Sequence, residues 1–280
     1  MTKHFITYAD ERFATSAVRL IEEIKKLNIF DSWKIYSPKD LPEYIKNSWI
    51  YNHQRGGGYW IWKPYVILDM LKKIPEEDIV LYLDSGFEVF ESREWNVFFS
   101  SLENSDALFF QYNNRIYINW QHWYSSIYPN EKSEKFGYPI ISHWTKISVL
   151  EYFKPFFTTS DWQKNCTIVS GAMFLKRSDN TISLISDWFN LMISRQDLLF
   201  DLFDFEKDRQ DDCFIEHRHD LSILSILLML AKGKYPSFIT LPENLEEREN
   251  GQALFAARIW GENKPKLSYK QFIKRHLFRK

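Results

Sequence analysis

The sequence predicts an α/β fold in one domain, and three observations predict it. Short apolar runs alternate with segments of helical period from residue 4 onward. One run, residues 78–83 (DIVLYL), is apolar almost without interruption, as expected of a central strand buried on both faces. No internal repeat and no Ser/Pro linker divides the 280 residues, a length comfortable for one α/β domain.

The elements follow in order. Residues 4–8 (HFITY) read as the first strand, and 13–27 carry Val18, Ile21, Ile24 and Leu27 at helical spacing among charges. Residues 33–36 form a second strand, and 41–49 a short helix entered through Pro38-Lys39-Asp40. Arg55-Gly56-Gly57-Gly58 holds the only glycine run, followed by Tyr59-Trp60-Ile61-Trp62-Lys63-Pro64. Pro64 suits a first helical turn, and a helix over 65–73 continues from it. The strand 78–83 ends in Asp84-Ser85-Gly86, where the glycine marks an abrupt turn. A helix over 95–102 and a buried strand over 107–111 (ALFFQ) come next. Residues 112–139 are aromatic, polar and weakly periodic, which predicts long loops with short helices. A strand over 169–176 and an amphipathic helix over 182–193 precede an acidic, irregular stretch at 200–212. Glu216-His217-Arg218-His219-Asp220 then leads into an apolar helix over 221–230, with Asp220 placed to cap it.

Composition narrows the function classes. Thirty-six Lys and Arg against 37 Asp and Glu leave a net charge of -1, unlike a nucleic-acid clamp or an acidic disordered segment. Aromatic residues make up 18% of the chain, and so many rings need a large core or a surface that stacks on ring-shaped ligands. Cys166 and Cys213 are too few for a disulfide framework or a structural zinc site, which suits a reducing, cytoplasmic home. The N-terminal segment reaches Asp10 before any apolar run long enough for a signal peptide. The longest greasy segment, 221–231, is interrupted by Ser222 and Ser225 and falls short of the roughly 18–20 apolar residues a bilayer span requires.

Three segments carry chemistry. Asp84 stands at the carboxyl end of a buried strand, where open α/β sheets bind ligands, with Glu88 four residues on. Such carboxylates can hold a hard divalent cation that bridges phosphates, or Asp84 can simply cap the turn. The three glycines permit close backbone approach to a ligand, and Lys63 can neutralise a phosphate; alternatively they form a flexible turn whose Trp60 and Trp62 fill core. It is not a phosphate-binding P-loop, because no Gly-Lys-Ser/Thr follows at the required spacing. In EHRHD, His217, His219 and Asp220 can supply a general base, a metal ligand or a hydrogen bond to a sugar hydroxyl; His217 and Arg218 read rather as surface residues around a helix cap, while Asp220 is open to both roles.

GGGYWIWKP, DIVLYLDSGFEVF, SGAMFLKRS and EHRHDLSILSIL, taken in order over residues 4–231, resemble bacterial and viral nucleotide-sugar glycosyltransferases of GT-A fold. The resemblance implies a GT-A-like mixed central sheet flanked by helices over 1–263 and a nucleotide-sugar donor, UDP-linked. It implies Mn2+ or Mg2+ as cofactor and a glycan or lipid-linked glycan of a surface polysaccharide, lipopolysaccharide or glycoprotein as acceptor. By its motifs Thr7 and Tyr8 would sit beside the nucleotide base, and Lys63 near the donor phosphates. Asp84 would lead the metal motif and Ser85 would touch the ribose or the metal shell. Gly171, between Ser170 and Ala172, would face the sugar, and Asp220 would touch the donor sugar or act as base. Two positions depart from the family: Gly86 stands where many members have a second Asp, leaving the metal to Asp84 with Glu88 or with water, and Leu221 replaces a Gln. These departures keep open a non-catalytic carbohydrate-binding or scaffold protein on a degenerate form of the fold.

The aromatic stretch 112–144 suits an acceptor cleft, and it lacks the dense Lys and Arg of a nucleic-acid groove. The tail 264–280 places Tyr269, Phe272, Ile273, His276 and Leu277 on one helical face among basic residues. That pattern predicts either peripheral contact with an anionic membrane or a terminal helix packed on the domain.

Overall fold

A computed structural model describes residues 1–113, 139–243, 245–246 and 248–258. The aromatic stretch between 114 and 138 and the basic tail 264–280 therefore lie outside the described residues.

The elements are β1 (Lys3–Tyr8), α1 (Ala14–Leu27), β2 (Ser32–Tyr36), α2 (Glu43–Lys46), α3 (Lys63–Lys73), β3 (Ile79–Leu83), β4 (Glu88–Val89), α4 (Glu94–Ser101) and β5 (Ala107–Gln111). After them come α5 (Ile147–Phe153), β6 (Ile168–Lys176), α6 (Asp179–Ser194), α7 (Gln196–Leu199), α8 (His219–Lys234), β7 (Phe238–Pro242) and β8 (Leu254–Phe255). A six-stranded sheet runs in the order β2-β1-β3-β6-β5-β7, and β4 pairs with β8 in a separate ribbon. β6 runs antiparallel to both neighbours, while the other pairings of the large sheet are parallel. The expected mixed α/β architecture is thus present.

Alternation along each strand builds two cores. Ile6, Val80, Tyr82, Phe109 and Met173 face one side of the sheet with the apolar faces of α3, α6 and α8. Phe5, Leu81, Leu83, Leu108 and Phe174 face the other, against α1 and α4. β3 is buried at every residue, as its unbroken apolar run requires.

Several boundaries differ from expectation. The helix expected over 41–49 is only α2, flanked by single 3-10 turns at Pro38–Asp40 and Trp49–Asn52. Pro38 and Pro42 lack amide hydrogens, and Asp40 bonds back to the Ser37 amide at 2.9 Å, so the chain caps and restarts instead of continuing. α6 begins before residue 182 because Ser178 caps it, its hydroxyl accepting from the Thr181 amide at 3.2 Å. β7, β8 and β4 were not expected from the sequence; β7 forms an edge of the large sheet beside β5. Among the described residues no helix is long and apolar enough to cross a membrane.

Candidate active site

The site forms where β3 leaves the sheet beside the incoming end of β6. Their antiparallel register sets Leu83 opposite Ala172, so Asp84 emerges against Gly171, whose carbonyl accepts from the Asp84 amide at 2.9 Å. α3 begins with Lys63 and α8 supplies Asp220, and both side chains converge on this strand end. The Lys63 ammonium lies 2.8 Å from Asp220 Oδ2 and 3.3 Å from Asp84 Oδ1, and it donates to the Ser170 carbonyl at 3.4 Å. The Tyr82 hydroxyl donates to the same Asp84 Oδ1 at 2.6 Å. Lys63 and Asp220 are buried, while the Asp84 side chain remains 38% exposed. One carboxylate therefore faces outward on a buried charged base.

Burial alone would lower the Lys63 pKa, but the charges of Asp220 and Asp84 outweigh it and hold the ammonium above the ordinary lysine value. Burial raises the Asp220 carboxyl, more than Lys63 draws it down, and the nearby Asp84 charge raises it further. Burial, and then the Asp84 charge, drive the Tyr82 hydroxyl well above the usual tyrosine range. Gly171 is needed for close approach: a Cβ there would stand 2.8 Å from Asp84 Oδ2.

The glycine run before Lys63 is neither a flexible turn nor an open cradle. Five successive residues, Gly56 to Trp60, have positive φ values of 58, 58, 88, 53 and 60°. They make one turn of left-handed helix, with the Tyr59 amide bonded to the Arg55 carbonyl at 2.7 Å and the Trp60 amide to Gly56 at 3.1 Å. For L-residues this handedness costs roughly 1–2 kcal/mol each, so Tyr59 and Trp60 must be held there by their surroundings. Tyr59 donates to Asp201 at 2.5 Å, and Arg55 bonds Asp201 at 2.9 Å and Glu216 at 2.7 Å. Trp60 stacks on His219, and Trp62 stacks on Tyr8 with ring centroids 3.7 Å apart. His219 itself has φ of 48°, directly before Asp220. Both members of the buried ion pair therefore follow strained backbone.

The remaining expected residues are spread around this centre. Thr7 is fully buried in β1, and its hydroxyl has no hydrogen-bond partner among the described residues. Tyr8, at the end of β1, gives its ring to Trp62; burial, then Tyr51, raise its hydroxyl pKa. Ser85 is buried, its carbonyl accepting from Arg19 at 3.1 Å. Glu88 lies on β4 in register with Phe255 of β8. Lys63, Asp84, Gly171 and Asp220 are brought together at the strand end.

Two expectations need correction. Asp220 is not the N-cap of its helix: α8 starts at His219, after Arg218, and the carboxylate is taken by Lys63. His217 is buried and not on the surface, its Nε2 meeting the Leu198 carbonyl at 2.9 Å. Burial, with His219 beside it, pushes its pKa well below the usual histidine value.

Sequence reasoning missed Tyr82, Arg19 and the Arg55–Asp201–Glu216 clasp. Tyr82 had a signal: its polar tip falls two residues before Asp84 in an apolar strand, hence on the same face. Arg19 had none, since its carbonyl partners at Ser85 and Phe87 are distant in sequence.

Among the described residues no group of three or more His, Cys, Asp or Glu gathers in a way that could hold a metal. The donor set fits a divalent cation in one manner only. Asp84 Oδ1 is engaged by Tyr82 and Lys63, which leaves Oδ2, lying in the cradle a Gly171 Cβ would fill, as the ligand a cation could share with phosphate oxygens.

No protein-family model matches the chain, and no curated protein sequence matches it. Solved structures do show similarity. The galactosyltransferase LgtC, in complex with donor and acceptor sugar analogues, aligns at 11% identity and a TM-score of 0.38, covering 85% of this chain and 72% of that one. A glycosyltransferase involved in glycosylation of the major capsid of PBCV-1 aligns at 12% and 0.34, covering 78% and 81%. Mouse xyloside xylosyltransferase 1 in its apo form aligns at 12% and 0.36, covering 86% and 85%. Likenesses this loose leave the functional reading to the residues themselves.

Proposed function

We propose that the chain is a glycosyltransferase that moves a sugar from a nucleotide-sugar donor, UDP-linked, to a glycan acceptor. The single observation that carries this reading is the outward Asp84 carboxylate, seated at a strand end on a buried Lys63–Asp220 pair. In the reaction the bond from the anomeric carbon to phosphate oxygen breaks, and one to the acceptor oxygen forms. The acceptor hydroxyl passes its proton to the departing phosphate oxygen as negative charge grows on the leaving diphosphate.

A divalent cation, Mn2+ or Mg2+, bound by Asp84 would neutralise that charge as a Lewis acid. The protein's own part is to aim Asp84. Tyr82 and Lys63 both bind Oδ1, which fixes the carboxylate's rotation. Lys63 is too buried to meet phosphate directly, so it acts through Asp84. Asp220, expected to touch the donor sugar or act as base, lies 2.8 Å from Lys63, and we assign it the role of holding that lysine. Tyr8 and Trp62 form the stacked wall at the end of β1 on which a nucleotide base would lie. The basic residues 264–280 would bring the cytoplasmic enzyme to an anionic membrane face carrying lipid-linked acceptors, and their deletion should reduce vesicle binding at low salt.

A thermal-shift screen of nucleotide sugars, with and without Mn2+, tests the proposal. At 100 times its Kd a true donor adds about 2.7 kcal/mol of stability, a shift easily read in a chain of this size. Metal-dependent stabilisation by one nucleotide sugar, abolished in Asp84→Asn, is the expected result. No shift with any donor would reject it and favour a carbohydrate-binding protein without transferase chemistry.

A further inference from the structure

Beside the strand-end centre lies a second set of groups that the reaction does not use. Trp49 is 48% exposed and Phe205 is 69% exposed, unusual for rings of that size. They are not scattered: Trp49 meets Phe200 at 5.3 Å, Phe200 meets Phe203 at 5.1 Å, and Phe203 stacks on Phe205 at 5.5 Å and 5°. Along this row stand Arg55, Asp201 and Glu216, each about two-fifths exposed and joined as a guanidinium between two carboxylates.

The segment that carries the row is built on a buried charge. The Lys146 ammonium donates to the Asp197 carbonyl at 2.7 Å, to the Asp201 carbonyl at 3.4 Å and to Glu206 at 3.2 Å. Glu206, equally buried, also accepts from the Phe203 amide at 2.9 Å. Burying a lysine and a glutamate to shape a surface segment is costly, and here it holds Phe205 outward while Phe200 keeps its contact with the core. The row is also continuous with the strand-end site. Phe200 contacts Tyr59 at 5.2 Å, Tyr59 contacts His219 at 4.9 Å, and His219 precedes Asp220.

We propose that this ledge, Trp49–Phe200–Phe205 with Arg55, Asp201 and Glu216, binds the acceptor glycan. A pyranose has a C–H face, which settles on the negative face of a ring, and an edge of paired hydroxyls, which match carboxylate acceptors and guanidinium donors. Rings interleaved with such pairs suit that ligand better than an apolar protein partner, whose interface centre would be depleted of charge. That the bound glycan is an acceptor rests on the transferase reading; that a glycan binds does not.

Saturation-transfer NMR on the full chain, with mono- to tetrasaccharides of glucose, galactose, N-acetylglucosamine and mannose as probes, tests it. At least one probe should bind, and Trp49→Ala and Phe205→Ala should each weaken it by about tenfold or more. Trp33→Ala removes an equally exposed ring on the edge strand β2 and should change nothing. Absence of binding by any probe, unchanged affinity in both ledge variants, or equal loss in the Trp33 variant would overturn the proposal. Saccharide binding at the ledge without any nucleotide-sugar stabilisation would keep the ledge and sink the transferase.

Discussion

Two carboxylates share one ammonium, yet their surroundings give them different work. Asp84 is partly solvated, so Asp84→Asn keeps the fold: Lys63 still has Asp220 at 2.8 Å. Its melting temperature should stay near that of the parent while turnover falls about 10²- to 10³-fold, the size expected when one aimed electrostatic group is lost. Thermal melting beside a nucleotide-release assay checks both halves, and full turnover would end the assignment of Asp84. Asp220→Asn removes the nearest partner of a buried cation and should destabilise by about 3–5 kcal/mol in urea unfolding. Replacing the pair together, as Lys63→Met with Asp220→Leu, should recover much of that loss because no buried charge is stranded. The double variant should nevertheless stay inactive, since Asp84 loses its support.

The left-handed turn and the β6 strand end are the elements that aim those residues. At Gly58, φ is +88° and an added Cβ would lie 2.6 Å from the Tyr51 Cα, a backbone atom that cannot swing away. Gly58→Ala should therefore cost about 2 kcal/mol or more, read as a drop in urea midpoint without a change in slope. Gly171→Ala puts its methyl 2.8 Å from Asp84 Oδ2, so its loss should fall on metal affinity and turnover more than on folding. Much at this scale was legible. The strands β1, β3, β5 and β6 declared themselves through apolar runs, and Asp84 through its place after one. The handedness of 56–60 was not legible, because three glycines permit either sign of φ. The sign is selected by Asp201 and Glu216, which Arg55 meets across 146 and 161 residues. Nor was it legible that Lys63 pairs inside the protein with Asp220, 157 residues along the chain. β7 lacks the helical or alternating signature that would have marked it; its place at the sheet edge comes from pairing with β5.

Across the whole molecule, the helix side of the sheet ends in buried ionisable groups where the strand-end site meets α8, and this makes stability respond to pH. His217, two residues before α8, and His219, its first residue, are both buried and neutral. Burial pushes His219 down to about 4 against a bond to the Leu199 carbonyl, and His217 well below its usual value. Facing them are Lys146 and Arg55, which oppose protonation, and Asp201 and Glu216, which favour it at His219. A helix N-terminus adds a further penalty on positive charge. The unfolded chain, with histidines near 6.5, then binds more protons than the folded one, so stability rises with pH through this range. It is fully present above about pH 6.5 and is lost as pH falls toward about 4. Asp220 works in the opposite sense, because its raised carboxyl favours the folded state as pH drops, so only a difference between variants isolates the histidines. His219→Asn suits the comparison, since asparagine tolerates the φ of 48° better than most residues. The parent should lose melting temperature steadily from pH 7 to pH 4.5, and the His219→Asn and His217→Gln curves should be flatter over that interval. Parallel curves for parent and variants would place the acid sensitivity elsewhere and remove the buried imidazoles as its cause.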